Sequence, residues 1–144
     1  MKRHLLATIL TVIAAPATAN IEWPLLYAFR AVEFTTALVH HCNEDSPPQA
    51  STRLRALEAW KLKNESLAKA TRDFNIARSR SEGQSVDLSE LDRELKELEA
   101  SALRQVGHTT CSEMAGWLLS EESDLLRQLP HFMRPKPLPT QPPR

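Results

Sequence analysis

Glycine is scarce in this chain, with three residues in 144, and its scarcity narrows both fold and function. A phosphate-cradling loop needs clustered glycines so that backbone N–H groups can approach the anion, and no such cluster occurs. Residues suited to strands are few as well, whereas Leu, Ala, Glu, Arg and Lys abound, so helices are expected and almost no strand. Charge of one sign is also lacking, since Lys and Arg number 18 against 18 Asp and Glu. A nucleic-acid partner rests on a positive field and is not expected here.

Other absences concern chemistry. No C-x-x-C-H haem motif occurs, no Glu-x-x-His pair of the di-iron bundle type, and no combination of Ser, His and Asp stands out as a triad. Pairs such as Glu94 with Glu97 and Glu121 with Glu122 read as solvated charge patterning. No cofactor is expected, and the chain is not expected to be an enzyme. Long apolar runs are missing too: the longest, Leu5 to Ala15, is far short of the ~20 residues that a membrane span requires.

That short run has a different meaning. It follows Lys2 and Arg3 and is closed by Ala17-Thr18-Ala19, the pattern of a cleavable secretory signal over residues 1–19. The residue after Ala19 is Asn20, so no cysteine is placed there to carry a lipid. Cleavage removes two of the 18 basic residues and none of the acidic ones, which leaves a net charge of about −2. The expected location is periplasmic or secreted. In an oxidising compartment Cys42 and Cys111, the two cysteines, are expected to form a disulfide.

Periodicity outlines a single all-α domain, a disulfide-tied antiparallel bundle of about four helices over residues 20–129. The first runs from Asn20 to Cys42 and reads as amphipathic through Leu25, Ala28, Val32, Val39 and Cys42. Ser46 and Pro47 provide an N-cap and a first-turn proline for the second. That helix continues to about Ser81, with Leu54, Leu57, Trp60, Leu67, Phe74 and Ala77 on its inner side, and Gly83 stops it. The third opens on Asp87 as cap, with Glu90 at the capping-box position and Val86 and Leu91 at the staple positions. Leu88, Leu91, Leu95, Leu98 and Ala102 continue it as a heptad-like stripe. The fourth is expected to start at Thr110 and to carry Met114, Leu118, Leu125 and Leu129 inward. From Pro130 onward the chain is proline-rich, and an extended, disordered tail over residues 130–144 is expected. Pro139 and Pro142 within it have the P-x-x-P spacing.

Helical rise creates a difficulty for the disulfide. A second helix of about 35 residues and a third of about 19 would leave Cys111 roughly 20 Å from Cys42 if both were straight, whereas a disulfide needs Cα atoms within about 7 Å. The expectation is an intramolecular bond made possible by a long descending segment, residues 43–51.

Several residues qualify as site candidates. His40, His41 and Cys42 adjoin one another, and His108 precedes Cys111 by three. They form a nominal Cys2His2 set, but oxidation of the cysteines would consume its thiolates, so the expected metal site is none. Asn64 interrupts an apolar stripe beside Trp60, and both are candidates for ligand or partner contact, Asn64 more simply as the edge of the buried face reaching water. Trp23, Trp60 and Trp117 read as core anchors or as the walls of a pocket. The expected function is non-enzymatic: an exported helical protein that binds another exported or periplasmic protein through a helix face, as inhibitors, immunity proteins, chaperones and adaptors do. The alternative is a small-ligand or metal-binding module built on His41, His108 and the two cysteines.

Overall fold

The computed structural model describes residues 22–139. The signal-like residues 1–19, Asn20 and the end of the proline-rich segment, residues 140–144, lie outside the described residues. Five α-helices are present and no strand among the described residues: α1 (Glu22–Asp45), α2 (Ala50–Ser81), α3 (Leu88–Arg104), α4 (His108–Leu119) and the single turn α5 (Leu125–Gln128).

Helix α1 forms the centre of the fold; beyond Arg30 it is amphipathic as expected, with Ala31, Phe34, Leu38, Val39 and Cys42 buried and Glu33 and His40 exposed, but its start is not. Leu25, Leu26, Tyr27, Ala28 and Phe29 are five consecutive buried residues, which covers the full circumference of a helix. Helices buried on every side are hydrophobic all round. α2 packs most extensively against α1, α3 packs along α1, and α4 packs on both α1 and α2. The helix is also bent at Arg30, whose backbone (φ −140°, ψ 38°) leaves the helical region. The Phe29 carbonyl at the bend accepts a hydrogen bond from Arg72 Nη1 at 3.1 Å, and Arg30 pairs with Glu99 at 3.2 Å. Inserted side chains of this kind are a recognised source of kinks. The bend folds the N-terminal arm back so that the Trp23 ring lies 5.0 Å from that of Phe34. In a straight helix those positions would be about 16 Å apart.

Partners along the helices give the directions. Arg53, early in α2, meets Cys42 late in α1, and Arg72 meets Phe29, so α1 and α2 are antiparallel. Glu99 meets Arg30 and the Val106 carbonyl meets His41, so α3 runs with α1. From Cys111 at Arg53 to Met133 at Asn75, the C-terminal half descends beside α2.

The disulfide forms within the chain, Cys42 to Cys111, with Cα atoms 5.0 Å apart. Its path differs from the expected one. Residues 43–51 are not a long descending segment: α1 continues to Asp45, a 3-10 turn spans Pro47–Gln49, and α2 starts at Ala50. Ser46 makes no side-chain cap bond. The slack is taken up at the other end of α2. Asp92, in the second turn of α3, already pairs with Arg72 at 3.3 Å, although α2 continues for nine residues beyond Arg72, about 13 Å. Residues 82–87 therefore climb back along the helix before α3 begins. Gly83, at φ +82°, starts that ascent; the N–H groups of Gly83 and Gln84 bond to the carbonyls of Arg80 and Ser79 at 3.0 Å each, a Schellman closure.

Asp87 caps α3 as expected, accepting from the backbone N–H groups of Ser89 and Glu90 at 2.9 and 3.2 Å. The expected fourth helix is divided. It starts at His108 behind Gly107, with Thr110 already inside it, and stops at Leu119. There the Ser123 hydroxyl donates to Leu118 and Ser120 carbonyls at 3.0 Å each, and such local side-chain bonds compete with helix continuation. The first part of the proline-rich tail is packed, contrary to the disorder expected from Pro130: Met133 and Pro135 are buried, and Asn75 Nδ2 donates to the Met133 carbonyl at 2.9 Å.

The inner face of α2 also differs from expectation. Leu54 is 42% exposed and Phe74 only half-buried, while Arg53, Asn64, Thr71, Asn75 and Ser79 are buried. Arg53, Asn64 and Asn75 recur every 11 residues, close to three helical turns. They face a C-terminal half that is poor in regular helix and whose backbone groups need partners.

Candidate binding cleft

α2 provides those partners one after another. Arg53 Nε donates to the Cys111 carbonyl at 3.1 Å, Trp60 Nε1 to Ser123 at 2.9 Å and Asn75 to Met133, while Asn64 Oδ1 accepts from the Leu125 N–H at 2.9 Å. Trp60 and Asn64 were candidates for ligand or partner contact. Both are buried, at 1% and 2% exposure, with their polar atoms engaged inside the protein. Asn64 does not reach water at the edge of the face; its Nδ2 donates to the Trp60 carbonyl at 3.0 Å, and its carboxamide joins α2 to α5.

The histidine and cysteine cluster does not converge. Both sulfurs are in the disulfide. His40 is exposed, the half-buried His41 has Nε2 3.4 Å from the Val106 carbonyl, and the exposed His108 has Nδ1 3.1 Å from Asp45. Among the described residues no three His, Cys, Asp or Glu side chains are grouped so that they could hold a metal ion.

What the tertiary structure brings together is aromatic. The bend in α1 carries Trp23 and Tyr27 toward α4, where they face Met114 and Trp117 across an open cleft of about 230 Å³. Leu38 and Met114 form its floor; Thr110, Glu113 and Gln128 complete the wall. Trp23 and Tyr27 stack at 6.4 Å between ring centroids, and both meet Phe34 edge-on, at 5.0 and 5.6 Å. The rings are thus held in place by core packing. Trp23 Nε1, Tyr27 Oη and Trp117 Nε1 have no hydrogen-bond partner among the described residues. Burial pushes the Tyr27 hydroxyl well above its ordinary value, so it remains a donor. Glu113 is exposed at the rim and has no cationic partner among the described residues.

Trp23 and Trp117 thus wall a cleft, whereas Trp60 anchors the core. Sequence reasoning named all three but overlooked Tyr27 and Glu113, because their meeting depends on the bend at Arg30. Arg53 was also overlooked. Its position on the Leu57 and Trp60 stripe was the available signal.

No protein-family model, curated protein or solved structure matches the chain. No helix among the described residues is long and apolar enough to cross a membrane.

Proposed function

We propose that this chain is a non-enzymatic, exported helical protein, periplasmic in location, that binds another protein through the helix face formed by α1 and α4. One observation carries the reading: a preformed cleft presents two half-buried tryptophans and a tyrosine whose polar atoms are unpaired among the described residues. Preformed aromatic surfaces with free donors are the usual anchors of protein recognition, because they combine large contact area with a low entropic cost. Among the described residues the cleft contains one carboxylate, Glu113, and a phenol that stays protonated, a poor set for acid–base chemistry. Export is supported by the signal-like residues 1–19 and by the disulfide. An inhibitor, immunity, chaperone or adaptor role fits such a molecule.

Affinity purification from native periplasm, with Trp117→Ala as control, tests the reading. The expected result is a stoichiometric protein partner that the variant captures at least about tenfold less well, the loss typical of an anchor residue. A partner retained equally by the variant would remove the cleft from the account. Circular dichroism and the intact disulfide show whether the variant is folded.

A further inference from the structure

The cleft and the proline-rich segment have complementary chemistry. Aromatic grooves with indole and phenol donors recognise polyproline segments: ridges of proline pack on the rings, and backbone carbonyls, free of internal hydrogen bonds, accept from the donors. Such a segment repeats every three residues, about 9 Å, which puts Pro139 and Pro142 on one face. Arg144 follows two positions later and makes the pattern P-x-x-P-x-R. At the cleft the matching parts are Trp23, Tyr27 and Trp117 for the prolines and the exposed Glu113 for the arginine.

The part of the segment next to the fold does not enter the cleft of its own molecule. Pro135 is buried where the C-terminal half meets the protein, while Lys136, Pro137 and Leu138 are exposed, Leu138 by 54%, and none of them lines the cleft. We infer that the cleft of one molecule receives the proline-rich segment 137–144 of a second copy, with Glu113 facing Arg144. This rests on reading the cleft as a protein-binding site and names what it recognises: an extended, proline-rich strand carrying a basic residue. Because each copy offers one cleft and one segment, reciprocal exchange would close a symmetric dimer.

Sedimentation of the chain from Asn20 to Arg144 over a range of concentrations tests it. The expected result is reversible self-association that Glu113→Arg or Arg144→Glu each weakens about tenfold, a loss in the range of a close interfacial charge pair, and that the two substitutions together partly restore. A synthetic peptide of residues 136–144 should compete with it and alter tryptophan fluorescence. Trp117→Phe, which keeps a ring but removes the donor, should weaken the association without disturbing the fold. A chain that stays monomeric over the whole range, whether or not it responds to the peptide, or self-association indifferent to Glu113, Trp117 and Arg144, overturns the inference. If a different protein binds in a Trp117-dependent manner while the chain never self-associates, the binding function stands and this inference falls.

Discussion

Arg53 and Cys111 are joined by a hydrogen bond from the guanidinium Nε to the backbone carbonyl, at 3.1 Å. The same side chain reaches the carbonyls of Cys42 at 3.2 Å and Ser46 at 2.8 Å, so it binds both halves of the disulfide and the C-terminal end of α1. It is fully buried without a carboxylate partner. The Cys42 and Ser46 carbonyls, at the negative end of the α1 dipole, take the place of a counter-ion, and the Cys111 carbonyl, in the first turn of α4, adds a further acceptor.

Arg53→Ala is therefore expected to lower stability by about 3 kcal/mol, because it removes the hydrogen bonds that tie the end of α1 to α4 and leaves a cavity beside the disulfide. Arg53→Lys should be costly as well, since a single ammonium cannot reproduce the fork. Urea unfolding of the oxidised protein measures both. A change below about 0.5 kcal/mol, the size of an ordinary surface substitution, would show that water replaces the guanidinium.

The disulfide closes a loop with a sequence separation of 69 residues. Replacing both cysteines with serine should cost about 4 kcal/mol in the chain-entropy view. Denaturant unfolding reports the loss. Intact mass with and without reductant, together with non-reducing electrophoresis, verifies the bond as intramolecular in the starting protein.

At the start of α3 the Asp87 carboxylate accepts two backbone N–H groups. Asp87→Ala is expected to cost about 1 kcal/mol, and Asp87→Ser much less, as befits an N-cap. Thermal or urea unfolding of the three forms provides the comparison; equal stability of all three would mean that the cap adds nothing.

The packed part of the proline-rich segment can be separated from the exposed part. Met133→Ala should cost about 2 to 3 kcal/mol through the cavity it leaves, whereas removing residues 136–144 should leave the melting temperature nearly unchanged at concentrations where the chain is monomeric, since Lys136, Pro137 and Leu138 are exposed. Calorimetry of the two variants decides between a docked and a free boundary.

Burial, reinforced by the neighbouring Glu90 and Glu97 and opposed by Arg93, raises the Glu94 carboxyl above the usual carboxylate range. The folded state then binds this proton more tightly than the unfolded state. This group's contribution becomes less favourable as pH rises from the unfolded value through the folded one. Glu94→Gln should accordingly stabilise the protein at neutral pH and lose that advantage on acidification through the carboxylate range. Melting temperatures across that range test the sign, and an advantage independent of pH would exclude proton linkage as its cause.

Local chemistry was enough to determine several features of this protein. The all-helical class, the Asp87 cap and the stop at Gly83 follow from propensity, side-chain geometry and backbone freedom within a few residues, and two cysteines behind a signal-like sequence implied one bond. The tertiary structure decided the rest, because those features depend on groups far apart in the chain. The bend in α1 needs Arg72 at the Phe29 carbonyl, 43 positions away; from it follow the all-round burial of residues 25–29 and the meeting of Trp23 and Tyr27 with Trp117. Asn64 and Asn75 sit in an apolar stripe and suggest an edge, yet they are buried because Leu125 and Met133 bring backbone groups to meet them. A side chain's polarity is readable from sequence, but whether it faces water or an unpaired backbone group is settled only when the remote segment arrives.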